Sequence, residues 1–287
     1  MNALYTERVN FFNKVVKVFK HEKISDLVVA HRLDKKIFKK LEKSASKYVS
    51  ISKKFKFTNR TPNGRLAPKK QNEKYFNDFA QAYFEMLQYL KIDKKLKNYL
   101  VPVIRYKKGK IDSLNKKNNS RSELPHADCW AGWTQDCLLF LLPLLGDFQN
   151  NKVRLFEVPK DIKKNWFKKK QFLDANKKIK KKLIPIKDHY KKGYLYVADI
   201  SVPHVTIRNQ NSKYRVSVDS ALMFKSFKIK KKSKKIITYI SSKDNFISIK
   251  KAKHLNKKFI LKCPYNMGEF EITNGIKSKP VYKISSK

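Results

Sequence analysis

From residue 103 onward the chain is divided into short segments rich in β-branched and aromatic residues, separated by turn-forming residues. This succession of short predicted strands constrains the fold more than any other feature. Several short strands without intervening helical patterns are typical of an antiparallel barrel or a jelly roll. The predicted strands are Val103–Tyr106, Cys137–Leu142, Val153–Val158, Tyr194–Val197, Val205–Arg208 and Tyr214–Phe224.

In the first hundred residues the apolar residues recur mostly at the spacing of a helix face. In residues 1–50, which we predict to be mostly helical, Phe11, Phe12, Val15, Val16 and Phe19 recur at the spacing of one helix face. A second amphipathic pattern covers Ser25–Ser44, the segment Thr58–Gln71 contains the breakers of a loop, and Tyr75–Tyr99 carries one continuous apolar stripe. The predicted fold class is therefore mainly β or α+β, a jelly-roll core with flanking N-terminal helices.

Three regions follow from these patterns. Residues 1–99 are predicted to be a helical region that packs on the barrel, and residues 100–225 to be the jelly-roll core. The core contains a lysine-rich insertion at about 160–192, which includes Trp166, Phe167 and Phe172 and is predicted to be partly helical. Residues 226–287 are predicted to be a lysine-rich C-terminal extension with short strands, including Ile236–Ile240 and Phe246–Ile249.

The formal net charge of +45 raises the question of a polyanionic partner such as nucleic acid. The bases comprise nine arginines and 59 lysines, spread along the whole chain, whereas groove and phosphate recognition usually recruits arginine forks. An AT-rich genome would produce the same composition. Both explanations stay open, with genome composition favoured and nucleic acid a possible but not favoured partner.

The remaining composition bounds the class of protein. The three cysteines have no CxxC spacing, which argues against a disulfide framework or a structural zinc site. There is no run of 18 apolar residues and no basic-then-apolar start, so we expect a soluble, cytoplasmic protein that does not enter a membrane. The residues do not indicate an oligomeric state.

One constellation points to a reaction. His126 and Asp128 are two residues apart, so in a strand both would face the barrel interior, and His204 on a neighbouring strand could join them. Two imidazoles and one carboxylate are the ligand set of a non-haem iron(II) site with open coordination positions. We therefore predict that His126, Asp128 and His204 bind iron.

Residues downstream and upstream of the triad could bind organic anions. Arg215 and Ser217 share one face of a strand by the same period, and a guanidinium with a hydroxyl suits the carboxylate of a small dicarboxylate co-substrate. Arg105 could contact the co-substrate or form a structural ion pair. Candidate substrate-binding residues are Arg121 and Ser122, in the loop that enters the iron-binding segment, and Trp130, for which a core position is the alternative.

The strings HAD, GYLYVADISVPHVTIRN and YRVSVD together resemble the iron(II)/2-oxoglutarate-dependent oxygenase superfamily over roughly residues 100–225. The resemblance implies a double-stranded β-helix, with His126, Asp128 and His204 as iron ligands. It also implies that Arg215, helped by Ser217, binds the distal carboxylate of 2-oxoglutarate, and that dioxygen is consumed. Halogenating relatives lack the metal-binding carboxylate, so the presence of Asp128 favours hydroxylation or another oxidation.

Three functions remain in competition at this stage. The leading hypothesis is an oxygenase that hydroxylates a small metabolite while 2-oxoglutarate is decarboxylated to succinate. The first alternative is an oxygenase that acts on nucleic acid or protein through its basic surface, in which case Trp166, Phe167 and Phe172 would be stacking aromatics. The second is a non-catalytic jelly-roll binding protein. The residues do not specify the substrate or the position oxidised.

Overall fold

The computed structural model describes residues 2–60, 64–100, 102–109, 122–179, 183–187, 189–225, 246–262 and 283–287. The helices are α1 (Ala3–Val16), α2 (Lys35–Lys54), α3 (Glu73–Tyr89), α4 (Phe172–Ile179) and α5 (Ile249–Ala252). The strands are β1 (Glu22–Ser25), β2 (Val28–Arg32), β3 (Arg65–Leu66), β4 (Leu96–Leu100), β5 (Ile104–Lys107), β6 (Cys137–Gly146), β7 (Asn151–Leu155), β8 (Tyr194–Asp199), β9 (His204–Arg208), β10 (Arg215–Phe224), β11 (Phe246–Ile247), β12 (Phe259–Lys262) and β13 (Lys283–Ser286).

The helices and antiparallel strands form a mixed architecture around one large sheet. Its strand order is β1-β2-β8-β6-β10-β4-β11, and β5 pairs with β10 while β3 pairs with β5. Strand β6 reads CLLFLLPLLG and is buried along most of its length, as expected for a strand covered on both faces. Its register with β10, from Arg215 opposite Gly146 to Met223 opposite Cys137, sets which residues of β10 face the protein interior.

A second, two-stranded sheet pairs β7 with β9, and His204 lies opposite Leu155. The segment before β6 extends this sheet, since His126 forms an isolated antiparallel bridge with His204. Residues of β7 and β9 line the same cavity as residues of β5, β6 and β10. The cavity therefore lies between the large sheet and the small one.

The six strands predicted after residue 103 are all present, with ends that differ by a few residues. The predicted helices at the N-terminus need two corrections. The amphipathic pattern of Ser25–Ser44 is not one helix, because Val28–Arg32 forms strand β2, which pairs with β1 and β8. Helix α2 begins only after Asp34, whose side chain accepts hydrogen bonds from the backbone N–H groups of Lys36 and Ile37.

The predicted helix Tyr75–Tyr99 is also too long. Helix α3 ends at Tyr89, and Leu96–Leu100 forms strand β4, which pairs with β10. Lys91 adopts a left-handed conformation (φ 58°), and the N–H of Ile92 bonds back to the carbonyl of Leu87 at 2.9 Å. This C-terminal cap stops the helix although the apolar pattern continues.

The lysine-rich insertion and the C-terminal extension both pack on the core in their described parts. Trp166 and Phe167 are buried, and α4 places the ring of Phe172 against that of His126. The predicted strand Phe246–Ile249 is limited to β11 because α5 begins at Ile249, and the predicted strand Ile236–Ile240 lies outside the described residues. Within the described part of the chain, no helix is long and apolar enough to cross a membrane.

Candidate metal centre

His126, Asp128 and His204 come together at one wall of the cavity, as the spacing predicts. One ligand atom from each residue lies within 4.8 Å of the other two. Both histidines are 7% exposed, and His204 Nε2 lies 3.9 Å from Asp128 Oδ1. The three side chains thus offer two imidazole nitrogens and one carboxylate oxygen to a single point.

Backbone pairing positions the two histidines. His126 and His204 exchange both backbone hydrogen bonds, at 2.9 and 2.7 Å, which makes them direct partners across the small sheet. Asp128 corrects the expectation of a continuous strand, because it begins a 3₁₀ turn, Asp128–Ala131. The intervening Ala127 is extended (φ −106°, ψ 143°), so the two-residue spacing still brings Asp128 to the same side as His126.

The environment of each imidazole suits a metal ligand. His126 Nδ1 lies 2.7 Å from the carbonyl oxygen of Leu124, and His204 Nδ1 lies 3.3 Å from that of Val202. A proton held on Nδ1 by these carbonyls leaves Nε2 as the free lone pair. The ring of Phe172 stacks on His126, with centroids 4.3 Å apart, and restricts its orientation.

The protonation energetics agree with this interpretation. Burial and the adjacent His204 lower the pKa of His126 well below its usual range, so the ring is held in its neutral, ligating form. Burial raises the pKa of Asp128 to about 6, against the opposing effect of His204. A divalent cation would stabilise the buried carboxylate, because metal binding requires the deprotonated form.

Arg215 lies in the same cavity and is 1% exposed. Among the described residues its Nε has no hydrogen-bond partner, and its Nη1 donates a long hydrogen bond of 3.5 Å to the carbonyl oxygen of Asn151. Its guanidinium carbon lies 5.4 Å from the centre of the Tyr190 ring. A buried guanidinium without a carboxylate partner in the described structure has the chemistry of an anion site.

The residues beside Arg215 follow from strand alternation and pairing. Ser217 and Asp219 occupy the same face of β10 as Arg215, and all three line the cavity. Arg105 lies opposite Ser217 on β5 and forms an ion pair with Asp219 at 2.5 Å, so the structural interpretation of Arg105 applies, although it also lines the cavity. Burial raises the pKa of Asp219, but Arg105 and His204 together hold it below its ordinary value.

The cavity and the solvent at its mouth together make up about 430 Å³ of empty space. It is lined mostly by polar side chains, and the complete lining is Arg105, Lys107, Ser122, His126, Asp128, Leu141, Val153, His204, Thr206, Arg215, Ser217 and Asp219. Sequence reasoning missed Lys107, Thr206 and Asp219. Each lies two residues from a predicted site residue along a strand, so strand alternation was a usable signal for all three.

The predicted substrate-binding residues have different positions. Ser122 lines the cavity, and its hydroxyl accepts a 2.6 Å hydrogen bond from Lys107. Arg121 lies outside the described residues. Trp130 is fully buried and packs edge-to-face on Trp166, with centroids 5.2 Å apart, and it is not part of the cavity lining. The core alternative therefore describes Trp130 in this structure.

No protein-family model and no curated protein matches the chain. Among solved structures, the chain resembles the non-heme alpha-ketoglutarate-dependent epimerase SnoN from nogalamycin biosynthesis (10% identity, 77% of this chain, 83% of that chain, TM-score 0.41). It also resembles the carbocyclase SnoK of the same biosynthesis (10% identity, 76% of this chain, 83% of that chain, TM-score 0.44). A third similar structure is AviO1 from Streptomyces viridochromogenes (10% identity, 76% of this chain, 96% of that chain, TM-score 0.42). These likenesses are distant, and the function proposed below rests on the residues of the cavity.

Proposed function

We propose that this protein is an iron(II)- and 2-oxoglutarate-dependent oxygenase built on a double-stranded β-helix, and that it hydroxylates a small polar metabolite. One observation carries the proposal: a two-histidine, one-carboxylate cluster and a buried arginine without a carboxylate partner in the described structure line the same cavity. The first group suits iron(II), and the second suits the far carboxylate of a chelating keto acid.

In this proposal each residue has a defined task. The Nε2 atoms of His126 and His204 and the carboxylate of Asp128 would hold the iron. Iron(II), 2-oxoglutarate and dioxygen together supply the oxidising power for a C–H bond, with succinate and carbon dioxide as co-products. Arg215 and Ser217 would bind the distal carboxylate of 2-oxoglutarate and so orient its keto-acid end toward the triad. Phe172, stacked on His126, would help to exclude water.

The lining supports a small polar substrate. Once the triad and Arg215 are engaged, the remaining polar groups include Thr206 and the Arg105–Asp219 pair. Substrate hydroxyl, amine or acid groups would therefore find hydrogen-bonding partners in the lining, whereas a large apolar substrate would place apolar surface against charged and polar groups.

The test is an anaerobic titration of the protein with iron(II) and 2-oxoglutarate, monitored by the weak metal-to-ligand charge-transfer band in the visible region. We expect a band that requires both additions and is lost in His126→Ala. In Arg215→Ala the affinity for 2-oxoglutarate should fall by at least about tenfold, since hydrogen bonds to a charged group are lost.

Two exposed residues of the same types provide matched controls. His21→Ala and Arg32→Ala remove one imidazole and one guanidinium outside the cavity lining, and both should retain the band. Folded wild-type protein that binds iron(II) but forms no band with 2-oxoglutarate would contradict the proposal.

A further inference from the structure

Three aromatic rings cluster on the outer face of the large sheet, on the side away from the metal cavity. Tyr106 lies in β5 between two residues that line the cavity, so strand alternation directs its side chain to the opposite face. Tyr214 immediately precedes the cavity residue Arg215 and points outward for the same reason. The rings of Tyr106 and Tyr214 are nearly parallel, with centroids 5.3 Å apart and an angle of 13° between their planes, and Phe57 packs on Tyr106 at 4.3 Å. We call these three side chains the aromatic platform.

The backbone that presents Phe57 is strained. Lys56 and Phe57 are both left-handed, with φ angles of 49° and 54°, although neither is glycine. A Schellman cap at the end of α2 accounts for Lys56, because the N–H groups of Phe57 and Lys56 bond to the carbonyls of Ser52 and Lys53 at 2.8 and 2.9 Å. The cap does not require a left-handed Phe57, and this conformation is unfavourable for a residue with a β-carbon. Since such strain clusters at functional sites, the position of the Phe57 ring is a candidate for a function.

The platform is open to solvent at Tyr214 and is flanked by cations. Tyr214 is 45% exposed, so its ring can accept a further planar group. Arg60 donates a 2.9 Å hydrogen bond from Nε to the carbonyl oxygen of Tyr106, which holds the guanidinium beside the platform. Lys56 and Lys213 each precede a platform residue in the chain, and both lysines are exposed.

A carboxylate also lies close to Tyr214, but the backbone engages it. The N–H of Asp147 bonds to the carbonyl oxygen of Tyr214 at 2.9 Å. The Asp147 carboxylate accepts hydrogen bonds from the N–H groups of Asn150 at 2.9 Å and Lys213 at 3.0 Å. Asp147 therefore serves its own turn, and positive charge prevails around the platform.

We propose that the aromatic platform binds single-stranded nucleic acid, with bases stacked on its rings and the phosphates contacted by Arg60, Lys56 and Lys213. Exposed aromatic rings beside cations suit single strands of any sequence, because every base has a π face. In a duplex the bases are already stacked on one another and are not available. Charge selects this partner over a neutral stacking ligand such as a sugar, since each phosphate complements the basic chain. The large sheet separates the platform from the cavity, so this binding is independent of the proposed oxidation.

The experiment is fluorescence anisotropy on the full-length protein with a labelled oligothymidylate of about 12 nucleotides, at roughly 150 mM salt. An abasic strand of the same length has the same phosphates but no bases, and the corresponding duplex has the bases paired. We expect the wild type to bind oligothymidylate at least about tenfold more tightly than the abasic strand or the duplex, because only the first can stack. An oligouridylate arm compares RNA with DNA, and tight binding of either single strand supports the proposal.

Three variants assign the effect to the platform. Tyr214→Ala should weaken oligothymidylate binding by about 5- to 100-fold, the effect of losing one base–aromatic stack, and should change abasic-strand binding by less than about twofold. Tyr214→Phe keeps the ring and should bind like the wild type. Tyr89→Ala is the matched control, since Tyr89 is 55% exposed at the end of α3, which leads to the strand that pairs with the other end of β10, and it should leave both affinities unchanged.

The proposal is overturned if the wild type binds the abasic strand as tightly as oligothymidylate, because charge alone then accounts for the binding. Equal losses for the two strands in Tyr214→Ala, or no loss for either, would overturn it as well. The comparison of strands in the wild type requires no variant, so it decides the question even if Tyr214→Ala does not fold.

Discussion

At the scale of single residues, burial of cationic side chains in the cavity lowers the stability of the folded protein when no anion is bound. Lys107 lies near Arg105 on its own strand, Arg215 on β10, Arg208 on β9, and Glu123 in the segment that leads to His126. Its pKa in the folded protein is depressed below the ordinary value of 10.5 because the charged form is buried among other cations. The folded protein therefore binds fewer protons than the unfolded chain over the interval between the two pKa values.

Linkage gives the sign of the effect on stability. The free energy of unfolding should rise with pH between the folded-state and the unfolded-state pKa of Lys107, because the unfolded chain binds more protons there. This gain in stability should be lost as the pH falls through the folded-state pKa of Lys107. Lys107→Met removes this titration. We expect the variant without co-substrate to be more stable than wild type by about 1 kcal/mol at low pH, with a smaller difference at high pH.

Urea denaturation of both proteins at several pH values between 6 and about 10 measures this difference. Comparison of the two proteins at each pH cancels the other titrating groups. A variant that is less stable at every pH would show that the hydrogen bond to Ser122 outweighs the cost of burying the charge.

Prediction from the sequence was most complete at this scale. The two-residue spacing of His126 and Asp128 predicts that both face the same side, as they do, and the order of the motif identified His204 as the third member of the cluster. Arg215 was conspicuous because arginine is rare in this lysine-rich chain. Lys107 had a weaker signal, because only its two-residue spacing from Arg105 distinguished it from the other lysines of the chain, and pairing then places it opposite Arg215.

At the scale of elements, a buried ion pair joins α1 to the large sheet. Arg8 of α1 donates to Asp199, the last residue of β8, and both side chains are fully buried. Arg8 also donates to the carbonyl oxygen of Gln135 at 2.5 Å, while the Asp199 carboxylate accepts from the N–H and hydroxyl of Ser201. The pair thus anchors the N-terminal helix where β8 turns toward His204.

We expect Arg8→Met to lower the free energy of unfolding by about 3–5 kcal/mol, because it leaves the Asp199 carboxylate buried without its cation. The double variant Arg8→Met/Asp199→Asn should recover part of this loss, since neither charge remains. Chemical denaturation of the single and double variants gives the coupling energy. Additive losses would contradict the interpretation that an uncompensated charge dominates.

Prediction was weaker for the elements of the N-terminal region. The residues of β2 fit a helical face by their spacing, yet they pair with β8, because the large sheet offers hydrogen-bond partners and burial that no local pattern reveals. Strand β4 was missed for the same reason, since its apolar residues continue the helical pattern of α3 although they pair with β10. Tertiary pairing outweighed local periodicity in both places.

At the scale of the whole molecule, the formal net charge of +45 is the most prominent property of the chain. The aromatic residues that the sequence suggested for stacking on nucleic acid do not lie on the surface, since Trp166, Phe167 and Phe172 are buried. Lysine charge alone attracts polyanions without sequence preference and with strong salt dependence.

We therefore expect binding of a DNA duplex to weaken by at least about 100-fold between roughly 50 and 200 mM salt, as for contacts made to phosphates alone. Fluorescence anisotropy with two duplexes of unrelated sequence measures this, and 2-oxoglutarate should not compete. Sequence-dependent binding that persists at high salt and is displaced by 2-oxoglutarate would instead favour a nucleic-acid substrate.

The sequence by itself determined the features that depend on residues close together in the chain. These are the short strands after residue 103, the common side to which His126 and Asp128 point, and the strand face that Arg215 and Ser217 share. Only the tertiary structure decided which residues face one another across strands and layers. The bridge between His126 and His204, the position of Lys107 opposite Arg215, and the stacking of Phe172 on His126 are all of this kind. The reason is physical: alternation along a strand is a property of the backbone, whereas register between distant strands is set by burial and pairing over the whole core.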